Sequence, residues 1–412
     1  MKLILVFLLF LIDLNASTQL GIDVLENSNF RILKDKKVGL LTNHSGRNSK
    51  GISTVEIFKK QTACKLSVIF VPEHGYYTSV PAGKHVENET LQGIPVLSLY
   101  GKNRRPSKEF LDQCDVVVID LQDVGVRSYT FISTIFEVMD ACAEFGRPVV
   151  VLDRPNPISG VIVDGNLVEE EFTSFVSRLP VSYIHGCTVG ELAEMINGEK
   201  WLSNGRDCML EVIKMKGWSR WNIWEDTDLN WIPTSPHVPT VDALRGMAVL
   251  GITGELGIIS IGIGTTSPFQ YLGKPGFDTE KFTSEFLKIN PSARKINDGI
   301  ILPGMKLIKA RYRPFYGMHK GKDCDGFLLK FTPSNEFQPY TYAIDILRTL
   351  MITNPSLFSI DGLNERSINM FNKVTGTDLI WKELNKKGNR IQEFSQMGLI
   401  DYLNIRKKYL LY

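Results

Sequence analysis

Four apolar runs in the first 155 residues each end on a cluster of polar side chains, the pattern by which an open parallel α/β sheet builds a site along one edge. They are residues 38–41 before Thr42, Asn43, His44 and Ser45; 66–71 before Glu73 and His74; 116–119 before Asp120, Gln122 and Asp123; and 148–152 before Asp153, Arg154, Pro155 and Asn156. Strands buried on both faces read as continuous Val/Ile/Leu runs, and ligands of such sheets sit beyond the strands' carboxyl ends. Acids, imidazoles, an arginine and amides dominate the resulting set of candidates. That composition points to hydrolytic chemistry on a polar substrate.

Helical patterns lie between the runs. Residues 53–60 offer a short one, and residues 129–145 place Ile132, Ile135, Phe136, Met139 and Cys142 on one face before Gly146 stops the helix. Residues 93–99 read as another short strand, ended by Tyr100 and Gly101. Strand and helix alternating at this spacing predict a Rossmann-like, doubly wound parallel α/β sheet over residues 18–250. Thr188 and Glu191 carry a capping-box signal for a later helix. Strand-like runs at 258–263 and 326–331 and a helical stretch at 342–351 predict a second, smaller α+β domain over residues 251–412. Two domains also suit the chain length, at about 100–200 residues each.

The chain starts with Met1 and Lys2, an apolar core at residues 3–12, and a small-residue exit at Asn15, Ala16 and Ser17. This is the layout of a secretory signal peptide over residues 1–17, so the expectation is a soluble protein exported to the periplasm or medium, without lipid modification or stable membrane insertion. Lys plus Arg number 47 against 45 for Asp plus Glu, and the basic run Arg406-Lys407-Lys408 is terminal, so a nucleic-acid footprint is excluded. Six cysteines lack any C-x-x-C spacing, and buried free thiols are favoured over a disulfide framework. Trp218, Trp221, Trp224 and Trp231 suggest either aromatic faces for sugar rings or simple core packing.

A carboxyl group at Glu73, partly removed from water behind a buried strand, is a candidate proton donor; the alternative is a carboxylate capping the next helix. Residues 120–130 set Asp120, Gln122, Asp123, Arg127 and Tyr129 between a strand and a helix, where Arg127 either presents a fork to a carboxylate or pairs with Asp123. Arg154 is expected to lock its own proline-rich loop with Asp153, leaving Asp153 and Asn156 more open. The Gly262-Ile263-Gly264-Thr265-Thr266 stretch lacks a dinucleotide fingerprint and no phosphate cradle follows the first strand, so nicotinamide and ATP chemistry are disfavoured. No H-x-H or H-E-x-x-H spacing supports a metal site from His44, His74, Asp120 and Asp123.

At these residues the chain resembles the NamZ-like family of exo-β-N-acetylmuramidases. The matching stretches are Pro72-Glu73-His74-Gly75 with Ala82-Gly83, residues 94–101, residues 120–130, Asp153-Arg154-Pro155-Asn156-Pro157, His185-Gly186 with Thr188, Gly190 and Glu191, Gly264-Thr265-Thr266 with Pro268-Phe269, and the closing Tyr409-Leu410-Leu411-Tyr412. Many relatives carry F-R-G where Tyr76-Tyr77-Thr78 stands, P-S-P-N at Thr234-Ser235-Pro236-His237 and an arginine at Ile263, while Glu255 aligns with a family acid.

The resemblance implies an active cleft between the two domains, no cofactor, and release of terminal N-acetylmuramic acid from the non-reducing end of peptidoglycan fragments, such as muropeptides or disaccharides, in cell-wall turnover. It makes Glu73 the general acid with His74 beside it. Asp120 or Asp123 becomes the second carboxyl group, and Arg127 the reader of the lactyl carboxylate. Asn43, Gln122, Tyr129, Asp153, Arg154, Asn156, His237, Glu255, Thr265 and Thr266 complete the expected substrate-binding set. The competing readings are a non-catalytic glycan-binding protein and a metal-dependent hydrolase of the acetamido or peptide part of the wall.

Overall fold

The computed structural model describes residues 17–358, 363–386 and 390–412. The expected signal peptide lies outside the described residues except for Ser17. Seven strands form the larger sheet: β1 (Lys37–Thr42), β2 (Lys65–Val71), β3 (Glu89–Leu91), β4 (Ile94–Ser98), β5 (Val116–Asp120), β6 (Val149–Leu152) and β7 (Leu210–Ile213), in the order β3-β4-β2-β1-β5-β6-β7. All neighbours pair in parallel except the edge pair β3 and β4. Successive strands run outward from β1 through β2 to β4, then return beside β1 at β5 and continue to β6 and β7, which is the doubly wound arrangement.

The apolar runs become strands because both of their faces are covered. Val116 and Val118 belong to one core with Ile22, Val55 and Phe58. Val117 and Ile119 belong to the opposite core with Ile132, Ile135 and Met139 of helix Phe131–Glu144. Fully burying such side chains contributes roughly 1.5–3 kcal/mol each. The capping box forms at the start of helix Val189–Gly198, where the Thr188 side chain accepts from the Glu191 N–H and Glu191 reaches back to the Thr188 N–H.

The smaller sheet has β8 (Tyr271–Lys274), β9 (Arg294–Ile296), β10 (Gly299–Leu302), β11 (Met305–Tyr312) and β12 (Cys324–Phe331), all antiparallel, in the order β8-β12-β11-β10-β9. Helix Pro339–Thr353 follows it. Residues 258–263, expected as a strand, form none: they are a loop holding only the isolated bridge between Ser260 and Gly273. Their apolar side chains pack into the core without a ladder partner for most of the run.

The expected division at residue 250 falls inside helix Val241–Leu256. One continuous core passes from Val117 and Ile132 beneath the large sheet to Leu250, Leu272, Phe327 and Leu347. The C-terminus then returns to the first half: Tyr402 donates its hydroxyl to the His185 carbonyl at 2.7 Å, and Tyr412 donates to Asp153 at 2.7 Å. All six cysteines are free thiols, five buried and Cys64 partly so. Among the described residues no helix is long and apolar enough to cross a membrane.

Candidate active site

A cavity of about 440 Å³ opens at the carboxyl ends of β2 and β4, within the roughly 300–1,000 Å³ usual for small-ligand sites. Glu73, His74, Gly83, Tyr100, Tyr129 and Thr130 line it from the first half of the chain. His237, Met247, Glu255, Ile263, Phe269 and Val374 close it from the second. The polar ends of two neighbouring strands thus face a wall made by helix Val241–Leu256, the loop after it, and helix Glu365–Thr375.

Glu73 is held firmly. One carboxyl oxygen accepts the Gly83 N–H at 2.8 Å and the other accepts the Thr130 hydroxyl at 2.6 Å, so the loop beyond β2 and the start of helix Phe131–Glu144 both aim it. The Tyr100 hydroxyl also hydrogen-bonds Glu73; burial and then the Glu73 charge hold that phenol well above its ordinary range. His74 adopts the left-handed region, φ 74°, which a side chain larger than glycine's occupies only when the surroundings impose it. Its Nδ1 lies 2.7 Å from the Val80 carbonyl, which assigns the proton to Nδ1 and leaves Nε2 as the acceptor. Burial lowers the His74 pKa against the opposing pull of Glu73.

Glu255 is exposed at the hollow, yet the surrounding protein partly desolvates its carboxyl group. That desolvation, joined by the charge of Glu73, pushes its carboxyl up to about 6. The site therefore contains two carboxyl groups that sense one another. Tyr129 also belongs here: its hydroxyl donates to Thr234 at 2.9 Å, and its ring lies 6.3 Å from that of His74. His237 lines the cavity, stacks 6.4 Å from Tyr316 and meets the Tyr316 hydroxyl at 3.0 Å; burial first, then His74, lowers its pKa.

The remaining expected site residues lie elsewhere. Asp120 is fully buried, taking hydrogen bonds from Arg154 at 2.5 and 2.9 Å and another from Thr54. The charge at the end of β5 is thereby neutralised within the fold, and Arg154 pairs with Asp120 rather than with the Asp153 carboxylate in its own loop. Asp123 turns away from the cavity to accept from Gly125 N–H at 2.8 Å and to meet His185 at 3.2 Å. Burial opposes a charge on His185, but the Asp123 bond prevails and holds it at about 9.

Arg127 is 0% exposed and has no carboxylate partner among the described residues. Its guanidinium donates to the carbonyls of Asn166, Val181, Val374 and Thr375 at 2.6, 2.8, 3.3 and 2.7 Å, tying the two halves together, and burial lowers its pKa to about 10. Asp153 accepts from Arg154 N–H, Gly190 N–H, Thr188 and Tyr412. Asn156 braces its loop through Cys187 and Ile158, and Asn43 forms a turn with Ser45. Gln122 and Arg154 instead line a separate hollow of about 100 Å³ near the ends of β1 and β5, with Trp224.

Thr265 bonds within its own loop and Thr266 is exposed; neither lines the cavity. The four tryptophans do not line it either: Trp218 packs on Tyr412 and Trp224 on Trp231, while Trp221 is exposed. Among the described residues no group of three His, Cys, Asp or Glu side chains is arranged to hold a metal ion.

The sequence pattern did not single out Tyr100, Thr130 or, apart from Glu255, the helix wall. Tyr100 follows β4 as Glu73 follows β2, so the strand-end rule that singled out Glu73 also reaches Tyr100. Met247, Gly251, Gly254 and Glu255 share a helical face at spacings that one turn repeats, and the glycines leave room for the hollow.

Two family descriptions match the chain: "Exo-beta-N-acetylmuramidase NamZ, N-terminal" over residues 38–242 and "Exo-beta-N-acetylmuramidase NamZ, C-terminal" over residues 246–412. The chain is 34% identical over 399 residues, 96% of its length and 91% of the relative's, to the peptidoglycan beta-N-acetylmuramidase NamZ of Bacillus subtilis (strain 168). Two crystal structures of DUF1343 family proteins from Bacteroides fragilis NCTC 9343 superpose with TM-scores of 0.87 and 0.72, at 35% and 27% identity. Each alignment covers 96% of this chain and 99% of the other.

Proposed function

The chain belongs to the NamZ family of exo-β-N-acetylmuramidases, and from that membership we propose a chemistry in which Glu255 gives the proton and Glu73, held by hydrogen bonds on both oxygens, acts as the second carboxyl group. The protein is a glycoside hydrolase that removes terminal N-acetylmuramic acid from the non-reducing end of peptidoglycan fragments. The observation carrying the division of labour is the shared cavity: Glu255 is pushed up to about 6 by desolvation and by Glu73, while Glu73 accepts hydrogen bonds on both oxygens.

Glycosidases of this kind need one group to protonate the leaving oxygen and another to assist at the anomeric carbon, directly or by holding the substrate's own 2-acetamido group. Two carboxyl groups that face one cavity, one of them raised by its surroundings, can divide these roles. Glu255 protonates the departing sugar's oxygen; Glu73, oriented by Gly83, Thr130 and Tyr100, stabilises charge developing at the anomeric centre or positions the acetamido group. This reverses the role expected for Glu73 and replaces Asp120 and Asp123 with Glu255.

The test uses two substrates. A 4-nitrophenyl muramide has a leaving group that needs little protonation, whereas a muramyl disaccharide needs it fully. E255Q should lose at least about 100-fold in kcat on the disaccharide and far less on the nitrophenyl substrate, since general acid catalysis contributes roughly 10²–10⁴-fold. E73Q should lose both. Equal losses for E255Q on the two substrates would remove Glu255 from proton donation.

Export is part of the same proposal. The basic start, apolar core and small-residue exit before Thr18 support cleavage of a signal peptide, which places the enzyme where peptidoglycan fragments occur. N-terminal sequencing of the secreted or periplasmic protein tests it: a start near Thr18 agrees, and an intact Met1 in the cytoplasmic fraction refutes it.

A further inference from the structure

We propose that Arg104, beside the cavity-lining Tyr100, is the specificity-determining residue that pairs with the free lactyl carboxylate of a peptide-free muramyl substrate; this rests on the muramidase reading and adds to it how the sugar acid is recognised. The need for such a group follows from the cavity itself. Its lining carries Glu73 and Glu255 but no lysine or arginine, so an anionic sugar meets carboxyl groups and has no permanent positive charge within the hollow. A substrate distinguished from glucosamine by a carboxylate requires a counter-charge nearby.

The neighbouring guanidiniums are already engaged. Arg105 pairs with Asp140 and Glu144, Arg178 with Glu137, Arg245 with Glu225, and Arg127 with four backbone carbonyls. Arg104 differs: its guanidinium carbon lies 4.3 Å from the Phe175 ring centroid and 5.9 Å from that of Tyr100, and it forms no ion pair among the described residues. Stacking on aromatic faces orients a guanidinium while leaving its N–H edge free and its charge uncancelled.

The location suits the role. Tyr100 lines the cavity and hydrogen-bonds Glu73, and Val176, the residue after Phe175, lines it too. The Tyr100 and Phe175 rings are 5.9 Å apart, so the arginine lies between a residue that lines the cavity and one whose chain neighbour lines it. Arg104 is exposed, which allows it to meet a carboxylate at the mouth without the desolvation penalty of a buried charge.

The test compares wild type, R104Q and R104K in the full chain. Calorimetry measures binding of free N-acetylmuramic acid and of N-acetylglucosamine at low and high salt, and kinetics compare 4-nitrophenyl N-acetylmuramide with its lactyl methyl ester. R104Q should lower the wild-type preference for the acid over its uncharged counterpart by about tenfold or more in Kd and KM, with a weaker salt dependence, and R104K should restore part of it. An unchanged acid-to-ester ratio in R104Q, or equal losses on both, overturns the assignment. A wild-type protein that hydrolyses no muramide but prefers the free acid through Arg104 would sink the activity and keep this inference.

Discussion

Glu73 and Glu255, one at the carboxyl end of a parallel strand and the other on a helix from the far half of the chain, face a single cavity, and the charge of the first helps push the second up to about 6. Their coupling makes one carboxyl group's protonation depend on the other's charge.

Glu255 must carry its proton to act as the acid, so kcat/KM should fall as pH rises through about 6. Neutralising its neighbour in E73Q removes a contribution that raises the Glu255 pKa, so the ionisation should move downward. Carbon-detected NMR titration of both proteins measures this. An unmoved Glu255 midpoint in E73Q would show that the two groups are not coupled.

Arg127 binds four carbonyls in a dry interior, and shortening it leaves those acceptors unpaired. R127Q should lower unfolding stability by about 3 kcal/mol or more. KM for the muramide in the folded fraction should stay within about twofold, whereas loss of a bidentate carboxylate contact would raise it about tenfold or more. Urea unfolding and steady-state kinetics on the same sample separate the outcomes.

D120N leaves the Arg154 charge buried without its counter-ion. Breaking one partner of a buried pair costs about 3–5 kcal/mol, so D120N should be much less stable. It should also retain more than about half of the wild-type kcat when assayed well below its melting temperature, unlike removal of a catalytic carboxyl group. A wild-type melting curve combined with abolished turnover would return Asp120 to the mechanism.

Tyr412 donates to Asp153, whose carboxyl burial pushes up to about 6 against four hydrogen bonds. Y412F removes one donor and raises that pKa further. A carboxyl group raised in the folded state favours folding most when protonated and loses that advantage as pH rises through its folded pKa. The destabilisation, about 1–3 kcal/mol, should therefore be larger at pH 8 than at pH 5. Chemical unfolding at the two pH values checks the sign.

Gly264 adopts φ 94°, and a Cβ there would stand 1.9 Å from the Tyr316 carbonyl oxygen. G264A should displace the segment that holds Tyr316 against His237 and raise KM more than it lowers kcat. Kinetics of G264A beside Y316F distinguish loop displacement from loss of the Tyr316 hydroxyl alone.

Strand runs were legible because burial on both faces leaves a local signature, and the ends of β2 and β4 locate Glu73 and Tyr100 by the same rule. The long amphipathic helix Phe131–Glu144 was equally plain. The loop at residues 258–263 misled because an apolar run reports burial, and buried residues need not join a ladder.

What the sequence determined by itself was the run of β1, β2, β4, β5 and β6 in the first half, the edge at which polar groups gather, and family membership across both halves. Only the tertiary structure decided which polar groups meet the cavity and which meet one another. Asp120 finds Arg154, Asp123 finds His185, Arg127 finds carbonyls contributed by both halves, and Glu255 joins Glu73. Residue spacing carries local periodicity, whereas neutralising a buried charge depends on partners that only the folded chain brings within a few ångströms.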